Sequence, residues 1–164
     1  MIAPVRRLLD LLYPPKCILC RRLLGRDEAD LCGPCRLALP VFDGQLHPGP
    51  YCSGAVAALR YEGAVRESLL RYKFGGLSQY AAGYAPLLAA ACARLPLAEI
   101  DAVTWVPVSR RRRWSRGYDQ AQLLARAVAR QLDKPLRATL RKARHNRPQS
   151  AQETAEARRA HVLG

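Results

Sequence analysis

Two Cys-x-x-Cys pairs, Cys17/Cys20 and Cys32/Cys35, stand 11 residues apart (positions 21–31) near the start of a 164-residue chain. Each pair turns two thiolates toward one cation, and two such turns complete a tetrahedral four-sulfur site. Gly33 and Pro34 suit a tight turn within the second pair. A segment this short buries little apolar surface, so bound metal supplies its folding energy. Zn²⁺ is the expected ion, in a structural role, because four thiolates leave no open position for water. The competing readings are two disulfides, four unrelated thiols or a redox pair; nothing nearby reads as a thioredoxin-type βαβ unit. Cys52 and Cys92 lack partners at ligand spacing. Cys92 reads as a small buried hydrophobe in an Ala/Leu helix, and Cys52 as a loop thiol or a remnant of a second knuckle.

The compartment bears on those thiols. Residues 1–12 carry Arg6 and Arg7 ahead of Leu8, Leu9, Leu11 and Leu12, but Asp10 interrupts the apolar stretch and no small-residue cleavage site follows. The stretch reads as a short amphipathic helix ending at Pro14-Pro15. The expected compartment is the cytoplasm, where cysteines stay reduced. The longest apolar candidate, Tyr84 to Leu95, contains Pro86 and Arg94 and falls short of the roughly 18 residues a membrane span needs.

Charge is unevenly placed. The chain has 27 Lys+Arg against 13 Asp+Glu, a formal net of +14. Residues 106–164 hold 15 against 4, a net of +11, and residues 1–105 hold 12 against 9, a net of +3. The second stretch therefore carries the field that concentrates phosphates, whether of nucleic acid or of a small ligand. The plain alternative is a solvated basic face.

Residues 43–50 read as a linker. They separate a Cys₄ module with its N-terminal helix (1–45) from an α/β domain (51–164). In the latter, Ala55–Tyr61 is a candidate strand, Gly63–Tyr72 a helix, and Ser78–Leu95 a long helix kinked or split at Pro86. Asp101–Val108 reads as a buried strand, Ser109–Arg116 as a basic loop and Tyr118–Leu132 as an amphipathic helix. Strand, loop and helix in that order suggest a βα unit of a parallel sheet. Residues 141–149 read as a mobile basic stretch. Ser150 with Glu153 reads as a capping box for a last helix, and Val162-Leu163 as the opening of another strand.

The run Val106-Pro107-Val108-Ser109, followed by Arg116-Gly117-Tyr118-Asp119-Gln120-Ala121-Gln122-Leu123-Leu124-Ala125, closely resembles the ComF family, also described as competence protein F or GntX-like. Leu12-Tyr13-Pro14-Pro15-Lys16-Cys17-Ile18-Leu19-Cys20 resembles the family's opening. Tyr61-Glu62-Gly63 with Lys73-Phe74, and Arg147-Pro148-Gln149 with Arg158, resemble further segments. The resemblance implies a zinc ribbon joined to a type I phosphoribosyltransferase-like parallel sheet, and a link to DNA uptake and transformation. It implies a phosphate or pyrophosphate site at Ser109, Arg113, Arg116, Gly117, Asp119 and Gln120 with Lys73. Arg147, Gln149 and Arg158 would lie on a flexible loop.

Physically, a basic turn at a strand's end, next to a helix N-terminus, suits an anion. The plainer alternative for Arg116 and Asp119 is an i,i+3 surface ion pair; the position of the loop and the family motif together favour the ligand site. The acid-pair and Thr-Thr-Gly motif of phosphoribosyltransferases has no counterpart; the only adjacent acids are Asp27-Glu28. The chain therefore resembles a C-terminally truncated member, expected not to turn over phosphoribosyl pyrophosphate. Mg²⁺ would enter only with that ligand and the complete domain. Such an incomplete sheet would leave an exposed edge and favour self-association.

Two function classes follow. One is a phosphoribosyltransferase-like protein binding a phosphorylated small molecule, with DNA-uptake proteins as partners. The other is a non-catalytic zinc-containing module that binds single-stranded nucleic acid, its basic stretches tracking phosphates while Trp114 and Tyr118 stack on bases. An inactive fragment is the third reading.

Overall fold

A computed structural model of the chain describes residues 13–44, 52–142 and 154. The first knuckle is a tight hairpin closed by an antiparallel bridge between Lys16 and Leu23. Cys17 N–H donates to the Arg22 carbonyl at 2.8 Å, and Leu24 N–H to that of Pro15 at 3.0 Å. The hairpin turns through Arg21 at φ 66, and the approach to the second knuckle turns through Asp30 at φ 58. Left-handed backbone costs a non-glycine residue about 1–2 kcal/mol, so both turns need support from their surroundings. Part of it is mutual, since Ile18 N–H donates to the Asp30 carbonyl at 2.8 Å. The second knuckle runs into helix α1, Gly33–Leu37, with Pro34 in its first turn, where a missing N–H costs nothing.

Three longer helices follow: α2 (Gly63–Phe74), α3 (Tyr80–Cys92) and, after a short helix α4 (Arg110–Arg116), α5 (Gln120–Gln131). On α2, Val65, Ser68 and Tyr72 fall on one helical face and are buried. On α3, the buried residues are Tyr80, Ala81, Gly83, Tyr84, Ala85 and Ala91, and this helix packs on α5. The core joins these helices to the cysteine knuckles. Cys17, Ile18, Leu19, Leu31 and Cys32 form one cluster with Val65, Tyr72, Tyr80, Ala81 and Tyr84. Gly83 marks the closest approach: a Cβ there would sit 2.9 Å from Asp30 Cβ and 3.0 Å from Ile18 Cδ1.

The α2 and α5 expectations agree with the helices observed, to within two residues at each end. Pro86 lies inside a single helix α3 rather than between two pieces. The expected basic loop is helical over Arg110–Arg116, because Ser109 caps it, its Oγ accepting from Arg112 N–H at 3.4 Å.

The partial type I phosphoribosyltransferase-like parallel sheet is not what the chain forms. β pairing between described residues is confined to isolated bridges: Lys16 with Leu23 and Val41 with Leu59, both antiparallel, and Val103 with Leu136, parallel. The Ala55–Tyr61 segment pairs back onto residues 40–42, with Phe42 N–H donating to the Ala58 carbonyl at 3.0 Å. The 101–108 segment meets residues 135–137 through two backbone hydrogen bonds at Val103, and Val106 is 73% exposed. β-Branched composition favours extended backbone, but a sheet needs a neighbour on each interior strand. Here the apolar helix faces are used against the knuckles and one another instead. The expected N-terminal helix, the 143–149 stretch, all of the last helix but Thr154, and Val162-Leu163 lie outside the described residues. No described helix is long and apolar enough to cross a membrane.

Gly83→Ala tests the close knuckle–helix contact. The added methyl is expected to destabilise the metal-loaded protein by about 1–3 kcal/mol through overpacking, despite alanine's better helix propensity. Urea denaturation followed by circular dichroism measures this, and a stabilised variant would contradict the packing.

Candidate metal centre and basic concavity

The four sulfurs of Cys17, Cys20, Cys32 and Cys35 lie within 4.8 Å of one another, with Cys20 Sγ and Cys32 Sγ at 3.6 Å. A regular tetrahedron with Zn–S near 2.3 Å separates its sulfurs by about 3.8 Å. The all-thiolate donor set and this spacing fit a structural Zn²⁺. All six cysteines are free thiols in the structure, and four of them converge as one set rather than as two bonded pairs. Cys52 is exposed and Cys92 half-buried, and neither joins the cluster.

The surroundings tune the sulfurs. Burial raises the Cys17 pKa, but N–H groups of Cys32, Cys20 and Leu19, with the Cys20 thiol, outweigh it and bring it down to about 6. Cys35 moves the other way, pushed up by burial and then by hydrogen bonds with the thiols of Cys20, Cys32 and Cys17. Glu28 braces the loop between the knuckles. Its Oε1 accepts from Gly33 N–H at 2.7 Å and its Oε2 from Gly25 N–H at 2.9 Å. Those two N–H groups, then Arg22, hold its carboxyl below the usual range. Arg22 reaches Glu28 at 2.9 Å and also feels the Cys32 and Cys20 sulfurs.

Residues 8–58 match the double zinc ribbon domain family. A zinc ribbon module is present. The match ends at residue 58, and the chain's two remaining cysteines do not furnish a second four-cysteine set. No curated protein and no solved structure matches the chain.

A second feature lies at the far end of α2. Lys73, Phe74, Gly76, Arg112, Ser115, Arg116 and Tyr118 line a cavity of about 430 Å³. No carboxylate is among them. The Arg116 guanidinium lies 4.8 Å from the Phe74 ring centroid and Lys73 Nζ 5.4 Å from it, so the ring makes cation–π contacts with both. Burial, then the neighbouring Arg116 and Arg112, lower the Lys73 pKa. Burial, then Arg112, lower that of Arg116. Phe74 is 60% exposed and Trp114, on the adjoining turn of α4, 92% exposed.

Of the residues expected at a phosphate site, Lys73 and Arg116 come together here. Ser109, Gly117, Asp119 and Gln120 instead shape the backbone and side chains around them. Ser109 is buried as the α4 cap, and Gly117 ends α4 at φ 78, where glycine carries no Cβ penalty. Asp119 is buried as the α5 cap: Oδ1 accepts from Ala121 and Gln122 N–H, and Oδ2 from Val108 N–H. The start of α5 is thus filled by the chain's own carboxylate. Gln120 Oε1 accepts from Arg116 at 3.0 Å, the partner an Arg116–Asp119 pair would have supplied. Arg113 is exposed and does not line the cavity. Arg147, Gln149 and Arg158 lie outside the described residues.

Sequence reading did not single out Ser68, Arg71 or Tyr72 as site supports. The burial of Ser68 was legible in its i, i+3, i+7 register with Val65 and Tyr72; the reach of Arg71 to the knuckle was not. Tyr72 OH donates to the Gln120 carbonyl at 2.6 Å, and Tyr118 OH to the Tyr72 carbonyl. Burial raises the Tyr72 pKa and keeps it a donor.

Metal loading provides the test. One equivalent of zinc is expected per chain, and Cys17→Ser is expected to abolish it. Because the Cys17 thiolate is largely formed above pH 6, loading at pH 7.5 is expected to release fewer than four protons, counted by calorimetry in buffers of different ionisation enthalpy. Acidification below 6 protonates that sulfur and weakens binding.

Proposed function

We propose that this chain is a zinc-containing module that binds single-stranded nucleic acid without catalysing a reaction. The observation that carries this reading is the carboxylate-free cavity that gathers Lys73, Arg112 and Arg116 with an exposed Phe74, while Trp114, on the same short helix as Arg112 and Arg116, is exposed to solvent. Cations supply attraction to phosphates, and aromatic faces supply sequence-tolerant stacking. Residues 106–164, which supply Arg112, Arg116 and Tyr118 to the cavity, carry an excess of positive charge, the sign that attracts phosphates. The zinc ribbon is the scaffold.

The resemblance to the ComF family narrows the setting. It points to DNA uptake during transformation, with single-stranded DNA as ligand and uptake proteins as partners. A phosphorylated small molecule is the competing occupant, favoured by a cavity volume of about 430 Å³ that suits one compact anion.

Fluorescence anisotropy with a labelled oligo-dT distinguishes them. Engagement of about three phosphates predicts a slope near −2 for log affinity against log salt, at about −0.7 per contact. Arg116→Ala is expected to flatten that slope by about one contact. With its pKa lowered, Lys73 loses its charge earlier than an ordinary lysine as pH rises, so affinity is expected to fall on the acid side of the usual lysine range. Displacement of the oligonucleotide by stoichiometric pyrophosphate or phosphoribosyl pyrophosphate, with no salt-steep DNA binding, would overturn the reading.

A further inference from the structure

The metal centre and the basic concavity lie at opposite ends of one set of hydrogen bonds. Ile18 and Leu19, the two residues inside the first Cys-x-x-Cys turn, offer their carbonyls to α2. Ser68 Oγ donates to the Ile18 carbonyl at 2.5 Å. Arg71 Nη2 donates to the Leu19 carbonyl at 2.5 Å and to that of Ile18 at 3.3 Å. Tyr84 OH secures Ser68 Oγ at 2.8 Å. One residue beyond Arg71, the Tyr72 and Tyr118 bonds fasten the end of α2 to the start of α5, and Gln120 then holds Arg116. Lys73 and Phe74 are the next two residues of α2, and both line the concavity.

The direction of the knuckle carbonyls depends on the Cys17–Cys20 turn. That turn is held by its hairpin hydrogen bonds and the burial of Ile18 and Leu19, and two sulfurs sharing one ion would add the cross-link that fixes its exact geometry. Without metal, the Ser68 hydroxyl and the Arg71 guanidinium lose their fixed acceptors. The last turn of α2 then loses its hold on that side, and with it the placement of Lys73 and Phe74 against Arg116. We propose that metal occupancy of the four-cysteine site sets the anion affinity of the Lys73–Arg116 concavity, with the last two turns of α2 as the element both sites bias. This rests on the reading of that concavity as an anion site. The coupling is reciprocal by thermodynamic necessity: an anion held at Lys73 and Arg116 tightens the grip of the cysteines on zinc by the same factor.

The test measures zinc affinity of the wild-type chain by competition with a chromogenic chelator, alone and with saturating oligo-dT or inorganic pyrophosphate. About a tenfold tightening is expected, within the usual range of such couplings. Arg71→Met, which leaves every metal ligand and every cavity residue in place, is expected to keep one zinc and lose the tightening. The wild-type measurement stands without that variant should it fold poorly. Zinc affinity unmoved by a probe that demonstrably binds overturns the coupling alone. Failure of the zinc-loaded chain to bind either probe overturns the anion site, and the coupling with it. Full tightening retained in a zinc-loaded, folded Arg71→Met protein overturns the route through α2.

Discussion

The carbonyls of Ile18 and Leu19, received by Ser68 and Arg71, are the contact on which the architecture turns. A zinc knuckle exposes its backbone because its chain reverses within four residues. Here that backbone is answered by a helix instead of water. Buried carbonyls left unanswered would each cost about 1–3 kcal/mol. Their partners are one small hydroxyl in the middle of an apolar helix face and one long guanidinium that reaches over its edge. The apolar side chains of the same turn complete the attachment, since Ile18 and Leu19 are buried among Val65, Tyr72 and Tyr84. Metal module and helical layer therefore share one core.

This sharing explains why the parallel sheet is missing among the described residues. A sheet of that kind would require α2, α3 and α5 to cover strands. Their apolar faces cover the knuckles and one another instead, and the extended segments at 55–61 and 101–108 are left with single bridges. The strongest basic feature of the sequence, Arg110–Arg113, is likewise recast. Once Ser109 caps it as a helix, its residues point in different directions. Arg112 reaches the concavity with Arg116, while Arg113 stands in solvent.

What the sequence made legible tracks the range of the interaction involved. The Cys17, Cys20, Cys32 and Cys35 site was readable because ligand spacing is local and the donor chemistry is specific. Helices α2 and α5 were readable from apolar periodicity, and Asp119 ahead of α5 is a recognisable cap. Tertiary partners were not. Arg71 occurs 52 residues after the carbonyl it holds, and no spacing rule announces such a pair. The strand at 101–108 was overestimated for the same reason. Its composition describes a backbone preference, whereas pairing depends on which other segment comes alongside. Resemblance to a known family directed attention to Lys73 and Arg116, which line one concavity, but it also carried a sheet that the described residues do not build.

Asp119 has a consequence for how choosy the concavity is. By seating its own carboxylate on the first N–H groups of α5, the chain gives up the rigid dipolar cradle that backbone amides make for a phosphate of one fixed shape. Recognition is left to the ends of long side chains, which swing and re-aim with little penalty. An anion entering the concavity would therefore meet charge before contour.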